Sequence, residues 1–226
     1  MSYIPTLNQV QKVNMNAIIL ACSKKNITNN FTIASILAVC SKESGFNLTH
    51  ENSYANTDNS RIRSIFGKYL SALTDPQLTD LKQNDIAFFN KVYGGRYGNA
   101  ANEGYKYRGR GFNQITFKDN YKAVGQGISI DLVNNPDLLN LPENAALAMV
   151  QYFKNNFKQI PSSIVQTETH TSDINGFKNL DDSLIGIYHA NAGWNKKIFP
   201  DTTGGFAKAK SRVQEFYDLV SKPTIL

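Results

Sequence analysis

Two glutamates eight positions apart have the residue type and the settings for general acid–base chemistry. The first, Glu43, follows Ile36 and Cys40 on an apolar stripe with helical spacing. Burial on that stripe and the negative end of the helix dipole both disfavour an ionised carboxylate. The sequence therefore predicts that Glu43 keeps its proton near neutral pH, as a general acid must. The alternative is a last-turn glutamate that rotates to solvent or bonds to Lys42.

The second glutamate, Glu51, lies past Gly45 in a polar stretch with His50, Asn52 and Ser53. A loop carboxylate in wet surroundings stays ionised, which suits a general base. Two carboxylates in contrasting environments divide acid work from base work, and hydrolysis of a glycosidic bond needs that division. The spacing by itself is weak evidence for such a pair.

A third segment, residues 105–116, combines glycines with arginine, aromatic and amide side chains. Gly109 and Gly111 permit a tight turn or a close approach of the backbone to a ligand. In an extended segment, Gln114 and Thr116 share one face and offer an amide and a hydroxyl to a polar ligand. Tyrosines at its start are of the type that stacks on sugar rings. An ordinary hairpin and contact with RNA are the alternatives.

The elements that must position these residues are mostly helices. Apolar periodicity and capping residues predict helices over residues 6–24, 30–44, 61–73, 75–89, 142–157 and 206–220, and one more capped by Asp181 or Asp182. Six glycines at residues 94–111 predict a loop or hairpin, and residues 161–179 predict an exposed excursion. The predicted fold is mainly α, with at most a small β-hairpin, in a single domain spanning residues 1–226.

Composition narrows the class of protein further. The 226 residues are 41% hydrophobic and 19% charged, which excludes a disordered chain, a collagen and a coiled coil. No apolar run approaches the roughly 20 residues of a membrane span, and residues 1–13 lack the pattern of a signal peptide. We therefore expect no membrane insertion. Lys and Arg number 24 against 18 Asp and Glu, and the net charge of +6 favours an anionic partner such as bacterial cell wall.

Cysteine and histidine give no sign of a metal site. Cys22 and Cys40 lie in apolar helical patterns, where buried free thiols are expected and a disulfide between packed helices is the alternative. The three histidines, His50, His170 and His189, are far apart in sequence. The basic residues are scattered rather than clustered, which argues against a nucleic-acid-binding arm.

Sequence blocks in a fixed order resemble glycoside hydrolase family 19. They are Glu-Ser-Gly-Phe at 43–46, Glu-Asn-x-Tyr at 51–54, Val-Tyr-Gly-Gly-Arg-Tyr-Gly-Asn at 92–99, and Tyr-Arg-Gly-Arg-Gly-x-x-Gln-x-Thr at 107–116 with Asn-Tyr at 120–121. Residues 131–139 and 142–146 resemble the same family. The chain is most similar to the bacteriophage endolysin-like branch, alongside the chitinases, and the similarity is strongest over residues 28–157.

This resemblance implies a role for each matching residue. Glu43 matches the general acid of the family, Glu51 its general base, and Thr116 the Ser or Thr that holds the attacking water. The positions that contact substrate are matched by Gln114, Asn120 and Asn191, and Tyr107 is expected to line the cleft. The family hydrolyses β-1,4 links in N-acetylated glycans with inversion and without metal or cofactor. Its fold is α+β and lysozyme-like, with two mainly helical lobes that flank a cleft.

The chain departs from the family pattern at three places. Lys42 stands where the family often has His, and we expect its side chain to point outward, away from Glu43. One glycine is missing after Glu-Ser-Gly. The motif Asn191-Ala-Gly replaces the more usual Asn-Gly-Gly.

The function predicted from these observations is that of a peptidoglycan hydrolase, an endolysin or muramidase that cuts between N-acetylmuramic acid and N-acetylglucosamine. The alternatives are a chitinase and a non-catalytic wall-binding or virion protein of the same fold, with a nucleic-acid-binding module as a third. We expect a monomer without a separate wall-binding module or nucleic-acid partner. It would stay in the host cytoplasm until release to the periplasm and wall, or travel on a virion.

Overall fold

The computed structural model describes residues 2–157, 171–192 and 204–222, and this part of the chain is mainly helical, as predicted. The described helices are α1 Gln9–Lys24, α2 Asn30–Glu43, α3 Asn59–Leu70, α4 Asp75–Leu81, α5 Asp85–Tyr93, α6 Lys118–Ile128, α7 Pro142–Asn156, α8 Leu180–Ala192 and α9 Gly205–Ser221. Two short strands, β1 Thr49–His50 and β2 Arg110–Gly111, pair in one small sheet. Single 3₁₀ turns occupy Ile4–Thr6 and Pro136–Asn140.

Asparagine caps start several of these helices. Asn8 precedes α1, and its side chain forms a capping box with Gln11. Asn29 caps α2 by accepting a hydrogen bond from the backbone of Thr32 at 3.2 Å. Each cap satisfies an N–H group that has no partner inside the helix, which is worth about 1 kcal/mol. The start of α2, and with it the position of Glu43 at its end, is therefore encoded locally.

Two predicted helix boundaries are wrong. Residues 75–89 form two helices rather than one, because Asn84 caps a new helix by accepting from the backbone N–H of Ala87 at 3.1 Å. The cap of α8 is Asn179 rather than Asp181 or Asp182, since its side chain accepts from the backbone of Asp182 at 2.9 Å. Of the predicted excursion at residues 161–179, the first ten residues lie outside the described part, and residues 171–179 form irregular turns.

The chain divides into two compact units. Unit 1 comprises residues 1–48, 111–113 and 140–226, and unit 2 comprises residues 49–110 and 114–139. The prediction that the chain is one catalytic domain stays a prediction.

Unit 1 is built around α2. This helix is buried from Thr32 to Ser41 and packs on α8 and α9, while α1 packs on α7. Its core includes fully buried apolar side chains from all five of these helices, among them Ile18, Ile36, Phe153, Leu184 and Phe216. A helix surrounded on several sides in this way holds its last residue, Glu43, on a rigid element.

Unit 2 has a separate core made mainly of aromatic side chains. Phe66 of α3 and Phe88 and Phe89 of α5 meet edge to face, with ring centroids 5.6–5.7 Å apart within the pairs Phe66–Phe88 and Phe88–Phe89. Tyr54 and Tyr93 pack against this cluster at its edge. Buried tyrosines direct their hydroxyls toward a polar partner, so packing against this core fixes the direction of two hydroxyl donors.

Both cysteines are free and buried, as expected. Burial raises the pKa of each thiol, Cys22 and Cys40, to about 12. In the described part of the chain, no helix combines the length and the apolar character needed to cross a membrane.

Candidate active site

Glu51 is held by three hydrogen-bond donors inside unit 2. The hydroxyls of Tyr93 and Tyr54 both donate to Glu51 Oε1, at 2.8 Å and 3.2 Å. The backbone N–H of Gly109 reaches Oε2 at 3.3 Å, and the backbone N–H of Glu51 donates to the Gly109 carbonyl at 2.8 Å. The carboxylate is therefore fixed in position from both of its oxygens.

The surroundings of Glu51 contradict the wet environment predicted from the sequence. Burial raises the pKa of Glu51 above its usual range, and the hydrogen bonds from Tyr93, Gly109 and Tyr54 lower it only in part. Burial and the Glu51 charge together raise the pKa of Tyr54 to about 12, and they raise the pKa of Tyr93 as well. Both phenols therefore remain neutral donors to the carboxylate at physiological pH.

Tyr54 and Tyr93 hold Glu51, and the sequence analysis did not predict this contact. Both lie in the blocks at 51–54 and 92–99 that resemble the family, which is the signal that could have found them. Their role depends on packing against the unit 2 core, and the sequence blocks do not show that packing.

Glu43 sits in contrasting surroundings in unit 1. It is exposed at the last turn of α2, and its Oε1 accepts from Lys42 Nζ and from Asn191 Nδ2, each at 2.8 Å. Its Oε2 receives no donor from residues that the structure describes. The predicted desolvation of Glu43 is therefore wrong, because the last turn of α2 leaves the buried core.

The expectation that Lys42 points outward is also wrong. Its ammonium pairs with Glu43 and lies 5.6 Å from the ring centroid of Tyr188. Burial lowers the pKa of Lys42, but the hydrogen bond and charge of Glu43 more than offset this, and the pKa is raised overall. Gly205 makes room for the lysine, since a Cβ there would lie 2.2 Å from Lys42 Cε.

A tight turn carries the predicted polar pair Gln114 and Thr116. Arg110 and Ile115 form an antiparallel bridge, so the chain reverses between them. Gln114 adopts a φ of +54°, and its amide Nε2 donates to the carbonyl and to the hydroxyl of Thr49, at 3.0 Å and 2.8 Å. The segment is thus a turn rather than the extended strand that would place both side chains on one face.

The side chains of Gln114 and Thr116 lie beside the backbone of Gly109. A Cβ on Gly109 would lie 2.6 Å from Gln114 Oε1 and 3.4 Å from Thr116 Oγ1, so the Gln114 amide would have to move to admit a side chain there. Thr116 Oγ1 donates to the Gln114 carbonyl at 2.9 Å, and Asn120 Nδ2 donates to the Thr116 carbonyl at 2.8 Å. The Gly109 backbone therefore contacts the Glu51 carboxylate and lies beside the Gln114 amide and the Thr116 hydroxyl.

The expectation that Tyr107 meets substrate is wrong. Its side chain is 0% exposed, its hydroxyl donates to the Val133 carbonyl at 2.9 Å, and its ring lies 5.4 Å from that of Tyr121. Tyr107 is a core residue of unit 2.

The structure thus gathers the predicted site residues into two groups. Unit 2 brings Glu51, Gln114 and Thr116 together around Gly109, and Asn120 hydrogen-bonds to the backbone carbonyl of Thr116. Unit 1 brings Asn191 to Glu43. The two glutamates belong to different units.

A carboxylate fixed in position among polar side chains suits hydrolysis of a glycosidic bond, and the comparisons with known proteins identify the class as glycoside hydrolase. A Haemophilus influenzae protein described as a "Glycosyl hydrolase family 19 domain-containing protein" is 31% identical to this chain over 178 residues, covering 77% of this chain and 85% of that protein. A family model described as "Chitinase class I" matches residues 90–166. The chain belongs to glycoside hydrolase family 19.

More distant relatives share a shorter region. A basic endochitinase of Vitis vinifera is 56% identical over 36 residues, which are 16% of this chain and 12% of that enzyme. Chitinase 3 of Oryza sativa is 58% identical over 36 residues, covering 16% and 11%. A solved bacterial family 19 chitinase matches 98% of this chain and 92% of its own length, with a TM-score of 0.52 and 19% identity, which shows the shared fold.

Proposed function

We propose that this glycoside hydrolase is a peptidoglycan hydrolase of the lysozyme type, which cuts the β-1,4 bond between N-acetylmuramic acid and N-acetylglucosamine. The observation that carries the hydrolytic chemistry is the partly buried Glu51 carboxylate, held by two phenols and one backbone amide. The preference for peptidoglycan rests on charge. The chain carries a net charge of +6, and a glycan with acidic peptide stems attracts such a protein.

In the proposed reaction Glu51 is the general base and Thr116 holds the attacking water. The Thr116 hydroxyl donates its own hydrogen to the Gln114 carbonyl, so its lone pairs are left to accept a hydrogen from water. A water that gives one hydrogen to Thr116 and the other to Glu51 presents a lone pair for attack. Burial raises the pKa of Glu51 and its three donors lower it in part, and the ionised form is the one that accepts the proton from water.

Glu43 is the proposed general acid, the role that the family resemblance implies. Lys42 and Asn191 both donate to Oε1, so the proton passed to the leaving oxygen must sit on Oε2. Single displacement with these two carboxylates inverts the anomeric centre.

The decisive experiment identifies the new reducing ends. Purified peptidoglycan is digested, reduced with borohydride and examined by mass spectrometry, with Glu51→Gln as the inactive control. Reduced N-acetylmuramic acid supports the proposal, and reduced N-acetylglucosamine rejects it. An undigested sugar backbone would leave the non-catalytic wall-binding alternative.

Chitinase activity is the second candidate function. It is favoured by the match of residues 90–166 to the family model and by the short regions shared with plant chitinases. Chitin is neutral, whereas peptidoglycan is anionic, so only cleavage of peptidoglycan should slow as salt rises from 0.05 to 0.5 M. Faster cleavage of chitin oligomers than of peptidoglycan would select this alternative.

Under this proposal the partner of the protein is the bacterial wall, reached from the host cytoplasm after release or from a virion. The proposal is tested by adding the protein outside intact and membrane-permeabilised bacteria. Lysis of permeabilised cells alone supports a route from the cytoplasm, and lysis of intact cells from outside supports delivery on a virion.

A further inference from the structure

An arginine in unit 2 is surrounded by aromatic rings. It is not one of the residues that hydrogen-bond to Glu51. The guanidinium carbon of Arg96 is 3.8 Å from the ring centroid of Tyr69, 5.0 Å from that of Phe117 and 5.6 Å from that of Tyr97. Arg96 Nη1 donates to the Val92 carbonyl at 2.6 Å, which fixes the guanidinium against the rings. Its other N–H groups have no partner among the residues that the structure describes.

The backbone presents Tyr97 to solvent. The Tyr97 side chain is 64% exposed, although tyrosine rings usually bury most of their surface. Its φ of +43° lies in the left-handed region, which a residue with a Cβ seldom adopts. Asp119 holds the turn, because its backbone N–H donates to the Tyr97 carbonyl at 3.1 Å. Gly98 follows with a φ of +81°, where a Cβ would meet the Asp119 carboxylate.

These aromatic rings connect to the proposed base. The ring of Phe117 lies 4.8 Å from that of Tyr97 and 5.2 Å from that of Tyr93, whose hydroxyl holds Glu51. Phe117 itself adopts a φ of +74° next to Thr116. The exposed ring and the Glu51 carboxylate are therefore parts of one packed set of side chains.

The Tyr97 ring and the Arg96 guanidinium together indicate one class of ligand. An exposed tyrosine ring stacks on the C–H face of a sugar, and a guanidinium binds a carboxylate through a fork of two N–H groups. Lys68 adds positive charge, with its Nζ 5.9 Å from the Tyr69 ring centroid. A neutral glycan would use only the ring, whereas a glycan with acidic substituents would use both groups.

We propose that Arg96 and Tyr97 form an accessory binding site for an acidic glycan, with Tyr97 stacked on a sugar ring and Arg96 bound to the carboxylate of its lactyl or peptide substituent. The choice of a peptidoglycan strand as this glycan rests on the proposed function. The site binds the polymer and takes no part in bond cleavage.

The test measures affinity rather than turnover. Every protein carries Glu51→Gln so that the ligand stays intact, and the ligands are a soluble peptidoglycan strand and a chitin hexamer. Arg96→Lys keeps the charge but loses the fork, Tyr97→Ala removes the stacking ring, and Lys24→Ala in unit 1 is a control for loss of one exposed cation. Melting temperatures within a few degrees of the parent protein show that each variant folds.

The expected result is that Arg96→Lys and Tyr97→Ala each raise the Kd for the peptidoglycan strand by about tenfold, while Lys24→Ala stays within about twofold. Arg96→Lys leaves the Kd for the chitin hexamer unchanged. Peptidoglycan affinities within twofold of the parent for both site variants overturn the proposal. A single-stranded oligonucleotide is measured as a third ligand. If the two site variants lose affinity for the oligonucleotide alone, the proposal is also overturned, because Arg96 and Tyr97 would then form a nucleic-acid site.

Failure of the proposed function is a distinguishable outcome. A wild-type protein that cuts chitin and leaves peptidoglycan intact refutes the proposed function. If Arg96→Lys still weakens binding of the peptidoglycan strand in that case, the accessory site stands as a binding site for acidic glycans.

Discussion

The two candidate catalytic carboxylates occupy opposite kinds of environment. Glu51 is partly buried and held by neutral phenols and a backbone amide, whereas Glu43 is exposed and held by a lysine and an asparagine amide. Burial raises the pKa of the first, whereas the second pairs with a lysine ammonium 2.8 Å away. The residue in a loop is thus the more tightly enclosed, because side chains distant in sequence surround it.

The largest effect should come from removing either carboxylate. Glu43→Gln and Glu51→Gln keep size and hydrogen bonding but cannot transfer a proton, so each should lower kcat by roughly 10²–10⁴-fold. Hydrolysis of peptidoglycan followed by released reducing ends measures this loss, with circular dichroism as the control for folding. Wild-type turnover by either folded variant would remove that residue from its role.

A smaller effect is expected from replacing the residue that supports each glutamate. Thr116→Ala removes an acceptor for the water beside Glu51, and Asn191→Ala removes a donor to Glu43. Each should lower kcat/KM by roughly 10- to 100-fold, since a hydrogen bond to a charged or reacting group is worth about 1.5–3 kcal/mol. Initial rates at fixed pH test both variants. A loss as large as that of the glutamate variants would show that the supporting residue itself transfers a proton.

The phenols should control the pH dependence of the base. Tyr93→Phe removes a 2.8 Å donor that favours the ionised form of Glu51, so the pKa of Glu51 should rise further. The acidic limb of kcat/KM should then move to higher pH, with a severalfold loss of activity on that limb. Tyr54→Phe removes a longer bond of 3.2 Å and should move the limb less. An acidic limb that moves in neither variant, or a shift of the alkaline limb alone, would contradict the assignment of Glu51 as base.

The smallest effect concerns stability. Because the pKa of Glu51 is raised in the folded state, its contribution to stability is fully present below the unfolded value of about 4.3 and is lost as pH rises through the folded value. The melting temperature of Glu51→Gln relative to wild type should therefore be higher at pH 7 than at pH 4. Glu43→Gln removes an exposed pair of the kind worth about 0–1 kcal/mol and should change little at either pH. Thermal melts of both variants test the contrast.

Local patterns in the sequence predicted the helical framework of the site. The apolar run of α2 and the asparagine before it encode the position of Glu43 along the chain. The surroundings of Glu51 could not be read in the same way, because Tyr93 lies 42 residues away and Gly109 lies 58 residues away. Contacts at such separations follow from the packing of the unit 2 core.

The direction of individual side chains also could not be predicted from the sequence patterns. Lys42 lies off the apolar stripe of α2, yet its ammonium pairs with Glu43 and lies 5.6 Å from the ring centroid of Tyr188. Helix α6 was not predicted, because Gly125 and Gly127 lower its intrinsic propensity. Tertiary contacts, with Tyr121 and Val124 buried, overcome that cost.

The two buried thiols make this protein convenient for site-directed labelling. Thiol reagents attack the thiolate, and with a pKa of about 12 Cys22 and Cys40 carry only about one part in 10⁵ of it at pH 7. Neither side chain is accessible from solvent. A single cysteine introduced at exposed Ser53, two residues after Glu51, would therefore take up a fluorophore or spin label selectively without removal of the native thiols. Such a probe would report glycan arriving at the base in real time.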